Sequence, residues 1–96
     1  MQLFNQAKQL HELIPDGNNT ILYAYTLHMI GMIQYDKQNY DEALNLYKQS
    51  LSIKQKITGR NTETCANTLN NMGLIYQLKK DYDKAFNCYQ EVLKIY

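Results

Sequence analysis

The chain has 96 residues and a formal net charge of +1, which bounds it to one small domain without a long-range electrostatic field. That balance argues against nucleic acid and anionic membrane as partners, since both usually call for a basic face, and no stretch approaches the roughly 18 to 20 apolar residues of a membrane span. Cys65 and Cys88 stand far apart, outside any paired spacing, and fit buried thiols of an intracellular, cytoplasmic protein better than a disulfide framework.

Only four glycines and one proline interrupt the sequence, so it reads as almost wholly helical. Apolar residues three and four apart (Leu3, Phe4, Ala7, Leu10, Leu13, Ile14) predict a first helix over roughly residues 2–14. It is amphipathic and carries an acid, unlike a signal peptide. The run Pro15-Asp16-Gly17-Asn18-Asn19 breaks it. The triplet Asn18-Asn19-Thr20 has the glycosylation pattern, but nothing else points to secretion. A second helix is expected from about Thr20 to Asp36, with Asn19 or Thr20 as its N-cap. After Lys37-Gln38-Asn39 a third runs from Tyr40 to about Ile57, with Tyr40, Ala43, Leu44, Tyr47, Leu51 and Ile53 on its inner face. Thr58-Gly59-Arg60-Asn61 ends it. Asn61 or Thr62 caps a fourth helix to about Lys79, and Lys80-Asp81 turns the chain into a fifth, from Tyr82 to the end.

These helices are organised by an internal repeat of 42 residues. Residues 17–54 laid on 59–96 without a gap share about 16 of 38 identities. Gly31/Gly73, Ala43/Ala85, Tyr47/Tyr89 and Leu27/Leu69 are among them: small and large apolar residues that set how closely helices approach. Gly31 and Gly73 fall mid-helix, where glycine costs about 1 kcal/mol relative to alanine. Each is expected where two helix backbones come close, with Ala43 and Ala85 on the facing helix by the same logic and a small residue beside a large tyrosine of the partner helix interlocking the two.

The run Leu69-Asn70-Asn71-Met72-Gly73-Leu74-Ile75-Tyr76, followed by Asp81-Tyr82-Asp83-Lys84-Ala85 and Tyr89, resembles a tetratricopeptide repeat. Leu27, Gly31, Tyr40, Asp41, Glu42, Ala43 and Tyr47 repeat the match one unit earlier, and the long period is similar to the variety in kinesin light chains. The resemblance covers residues 17–96. It implies an all-α fold, a right-handed superhelix (solenoid) of antiparallel helix pairs, with full repeats at 17–58 and 59–96. Residues 1–15 would be the second helix of an incomplete leading repeat. The His-Pro that the family carries after the linker asparagine is Thr62-Glu63 here, and Gln34 stands where Tyr76 supplies an aromatic. Two units and a fraction fall short of the roughly three that usually make an array stable alone. The chain therefore reads as a piece of a longer array, or as a small one that hides its ends by self-association.

Chemistry-bearing residues are sparse. His11, His28, Cys65 and Cys88 show no metal-ligand spacing, no cysteine has a local nucleophile motif, and the glycines are scattered, so neither an enzyme nor a cofactor is expected. Asp41, Glu42, Asp81 and Asp83 cluster at helix starts, where they complement the helix dipole.

A surface for holding a protein or peptide remains. The resemblance implies that the first helix of each pair lines a concave groove. The residues expected to read a ligand are then Tyr25, His28, Met29, Met32 and Tyr35 in the first unit, and Asn67, Asn70, Asn71, Leu74 and Gln77 in the second. Asparagine carries both donor and acceptor and suits a peptide backbone, while methionine and tyrosine make adaptable apolar pockets. Packing between pairs is the competing account of Tyr25, Met29 and Met32, and inter-helix hydrogen bonding that of the asparagines. Within this groove no lysine or arginine cluster is expected. In an alternative role the uncapped terminal helices promote assembly, including homo-oligomers.

Overall fold

The structure, a computed structural model, describes residues 20–59 and 62–95. The expected helix over 2–14, the Pro15–Asn19 break, His11, and the linker residues Arg60 and Asn61 lie outside the described residues. Four helices follow in order: α1 Ile21–Asp36, α2 Tyr40–Thr58, α3 Glu63–Leu78 and α4 Tyr82–Ile95. No strand occurs among the described residues.

Boundaries differ from the sequence expectation by a residue or so, and the caps explain why. Thr20 is not helical but caps α1, its Oγ1 accepting from the Tyr23 N–H at 3.1 Å. Thr62 does the same for α3, accepting from the Cys65 N–H at 3.4 Å. Lys79 is the C-cap of α3 rather than its last residue. Both tight turns are closed alike: the Asn39 N–H reaches back to the Gln34 carbonyl and the Asp81 N–H to the Tyr76 carbonyl, each at 2.8 Å. The residues inside those turns, Gln38 and Lys80, hold φ of 65° and 64°, the left-handed conformation usual at this position of a helix end.

α1 packs along α2, α3 along α4, and α2 along α3 joins the two pairs. The central position of α2 decides its burial. Leu46 and Ile53 face α1 together with Tyr23, Ala24, Leu27 and Ile30. Ala43, Leu44 and Tyr47 face α3 and α4 in a second core with Leu69, Met72 and Ile75. One inner face is thus too few for α2: Leu46, Ser50 and Lys54 are buried as well, and Tyr40 and Leu51 only partly so.

The glycines hold the close approaches expected of them. A Cβ built at Gly31 would lie 2.8 Å from Cε1 of Tyr47, and one at Gly73 2.7 Å from Cε1 of Tyr89. Ala43 and Ala85 are buried on the facing helices. Each tyrosine ring therefore lies close against a helix backbone, and the two pairs share one packing rule.

Candidate functional site

The outer face of α1 carries Leu22, Tyr25, Met29, Met32 and Asp36, and that of α3 carries Asn67, Asn70, Leu74 and Gln77, all exposed. Spacings of three and four put each set on one helical stripe. Between the stripes lies a recess of about 190 Å³ lined by Met32, Tyr35, Asp36, Tyr47, Asn71 and Leu74. A second hollow shares Tyr35 and Leu74 with it and continues to Gln77, Leu78 and Tyr82. The two make a groove running towards the start of α4.

Of the ten residues expected to read a ligand, Met32, Tyr35, Asn71, Leu74 and Gln77 line these hollows. Tyr25, Met29, Asn67 and Asn70 are exposed on the same stripes but outside them, and His28 is partly buried between the helices. Tyr25, Met29 and Met32 are 44–48% exposed, partly covered by their neighbours and partly open. Inter-helix hydrogen bonding does describe Asn71, whose Nδ2 lies 3.2 Å from Nε2 of His28.

Beneath the groove lies a polar cluster that the sequence did not announce. Lys54 of α2 is only 2% exposed. Its ammonium donates to Thr68 Oγ1 at 2.8 Å and to the Thr64 carbonyl at 3.4 Å, and stands 5.2 Å from the centre of the Tyr25 ring. Its Nζ is 3.5 Å from Nδ1 of His28, which is itself 3.1 Å from Thr68 Oγ1. Nε2 of the same ring faces the Asn71 amide at 3.2 Å, so each nitrogen of the neutral imidazole, one donor and one acceptor, has a polar neighbour. Burial first, then the Lys54 charge, holds His28 down at about 4. Burial likewise lowers Lys54 to about 8. This single lysine comes from the second helix of the pair, is buried, and makes its hydrogen bonds inside the protein.

Sequence reasoning does not reach Lys54, Thr68, Tyr47 or Asp36 as site residues. Thr68 sits three places from the expected Asn71, but its burial and its lysine partner depend on how α2 and α3 cross. Tyr47 reads from the sequence as a packing residue only, yet it is both: 1% exposed, it lies under Gly31, and its edge forms the floor of the recess. The periodicity offers one signal for Asp36, which continues the exposed α1 stripe four residues after Met32.

The arrangement supplies apolar contact and hydrogen bonding. Both ring nitrogens of His28 are engaged. The Cys65 thiol donates to the Gly59 carbonyl at 3.4 Å, and burial pushes the Cys88 thiol up. No group of three His, Cys, Asp or Glu able to hold a metal occurs among the described residues.

Residues 22–96 match the family model of the tetratricopeptide repeat. The chain belongs to the tetratricopeptide repeat family. The crystal structure of BtubC (BKLC) from P. vanneervenii superposes with a TM-score of 0.81 over 98% of this chain, at 21% sequence identity. At that identity the likeness shows the fold, a tetratricopeptide solenoid. The chain spans 39% of the length of that protein. Comparison with curated proteins gave no match. Tetratricopeptide repeats generally serve as protein-interaction scaffolds, and none of the helices among the described residues is long and apolar enough to cross a membrane.

Proposed function

We propose that the chain is a non-catalytic scaffold that holds an extended segment of a partner protein in the groove between α1 and α3. The observation that carries this reading is where the two repeats agree and where they do not. At the close approaches the packing positions coincide (Ala24/Ala66, Leu27/Leu69, Gly31/Gly73, Ala43/Ala85 and Tyr47/Tyr89), although the buried pairs Tyr23/Cys65, Ile30/Met72 and Leu46/Cys88 do not. Groove positions all differ: Tyr25/Asn67, His28/Asn70, Met29/Asn71, Met32/Leu74 and Tyr35/Gln77. Packing alone gives no reason for repeats under one structural rule to diverge along one exposed stripe. A ligand lying along the stripe meets each unit at a different place, and divergence follows.

In this reading Met32, Leu74 and the edge of Tyr47 hold an apolar side chain, and Asn70 and Gln77 offer hydrogen bonds to an extended backbone. The test is affinity capture with the intact protein, comparing it with Leu74→Glu and with Asn70→Ala/Asn71→Ala. A partner bound through the groove is expected to be lost with the first and weakened with the second. Undiminished capture by both would remove the groove assignment.

A second reading is favoured by α4. Phe86 is 61% exposed, whereas Leu44, its counterpart on α2, is 6% exposed under α3. The face that α2 uses for stacking is therefore open on α4, and assembly through it is the competing role. Light scattering on the intact chain separates the two: a defined oligomer favours assembly, and a monomer at high concentration favours the groove.

A further inference from the structure

On the reading of the groove as a peptide site, its charge indicates which peptides fit. Asp36 is the last residue of α1 and lines the recess beside Tyr47 and Asn71. A carboxylate at a helix C-terminus faces the negative end of the helix dipole, and so is placed against the helix's own electrostatics. No basic residue lies in the last turn of α1, and none of the ion pairs among the described residues includes Asp36. The second repeat has Leu78 at this position, so nothing in the shared packing calls for an acid. Asp36 lines the recess next to Tyr47, and after burial its charge is the next largest influence pushing the Tyr47 phenol up to about 12. Of the six residues that line the recess, Asp36 alone is charged, while Lys54 is buried to one side with its donors on Thr68 and Thr64.

We propose that the recess takes a large apolar side chain of the partner, and that Asp36 selects segments carrying an arginine or lysine within two residues of that anchor. Arginine suits the place best, because its planar head pairs with a carboxylate and lies on an aromatic face, here the partly buried Tyr35. Residues two apart in an extended segment point to the same side. An anchor in the recess and a basic head at its mouth are therefore compatible with one strand.

The test uses short Gly/Ser peptides with Trp-Ser-Arg, Trp-Ser-Glu, Ala-Ser-Arg or Trp-Ser-Ser at the centre, titrated into the isotopically labelled full chain and followed by NMR shifts. Trp-Ser-Arg is expected to bind tightest, about fivefold better than Trp-Ser-Glu, the ratio set by an exposed pair of charges. The ratio should shrink with added salt. Ala-Ser-Arg should lose most of the binding. Asp36→Lys should reverse the order of the Arg and Glu peptides without changing the helical spectrum. Equal binding of these two, or an unchanged order in Asp36→Lys, overturns the role of Asp36 while the groove reading stands. Binding that survives Leu74→Glu overturns the groove itself, and failure of every peptide at millimolar concentration overturns both.

Discussion

Gly31 and Gly73 occupy equivalent positions against equivalent tyrosines, yet the same substitution is expected to affect them differently. Alanine gains about 1 kcal/mol of helix propensity at either site and loses about 1 to 3 kcal/mol if the core cannot yield. Tyr47 cannot yield, being 1% exposed with the His28 ring at 5.1 Å. Tyr89 can, since it is only partly buried and its hydroxyl reaches Gln77 on the surface at 2.9 Å. Gly31→Ala should therefore lose up to about 2 kcal/mol in urea denaturation, and Gly73→Ala should stay within about 1 kcal/mol of the parent. Equal losses would show that the two rings are held alike. A second residue-scale outcome concerns acid. The pKa of His28 is depressed on folding, so the unfolded chain binds the proton first and stability falls as pH drops from about 6.5 to about 4. His28→Asn, which installs the residue of the second repeat, should flatten the stability profile across that window relative to the parent. The difference should be on the order of 2 kcal/mol, discounted for partial exposure. Parallel profiles would mean that the ring binds its proton as readily in the fold as in the unfolded chain.

At the scale of the element, the caps and turns explain where helices stop. Thr20 and Thr62 are legible as caps from the sequence, because a hydroxyl before an apolar-periodic run satisfies an amide of the first turn. The left-handed residues of the tight turns are not legible at Gln38 and Lys80, since neither is a glycine or asparagine. Their backbone is set by the bonds closing the turn rather than by their own preference. Gln38→Gly and Lys80→Gly should each gain about 0.5 to 1 kcal/mol, measured by thermal or urea unfolding. A loss at both would mean that the turn residues contribute side-chain contacts outweighing backbone strain. Helix α2 is legible as a helix but not as a helix buried on two sides. Its sequence period is that of one face, and Leu46, Ser50 and Lys54 are enclosed only because α1 and α3 flank it. Ser50 shows this well: its hydroxyl donates to the Ala24 carbonyl of α1 at 2.7 Å, where the second repeat has Val92.

For the whole molecule, the face of α4 equivalent to the stacking face of α2 is exposed in this chain. Tyr82, Phe86 and Leu93 are 61–74% exposed. If this face mediates assembly, Phe86→Glu/Leu93→Glu should abolish concentration-dependent association in light scattering while helix content is kept. Association that persists would have to use another surface.

The amino-acid sequence by itself determined the described helices, their pairing and the places where a small residue is needed between them, because these follow from periodicity, capping hydroxyls and repetition, all local or translational properties of a chain. It also marked the exposed stripes of α1 and α3, since a stripe is a matter of spacing. Only the tertiary structure decided that Tyr47 passes under Gly31 to floor the recess, that Asp36 stands at its mouth, and that Lys54 is buried among His28, Thr68 and Tyr25. Those relations join residues from different helices, and their distances depend on how the helices cross, a quantity that no one-dimensional pattern contains.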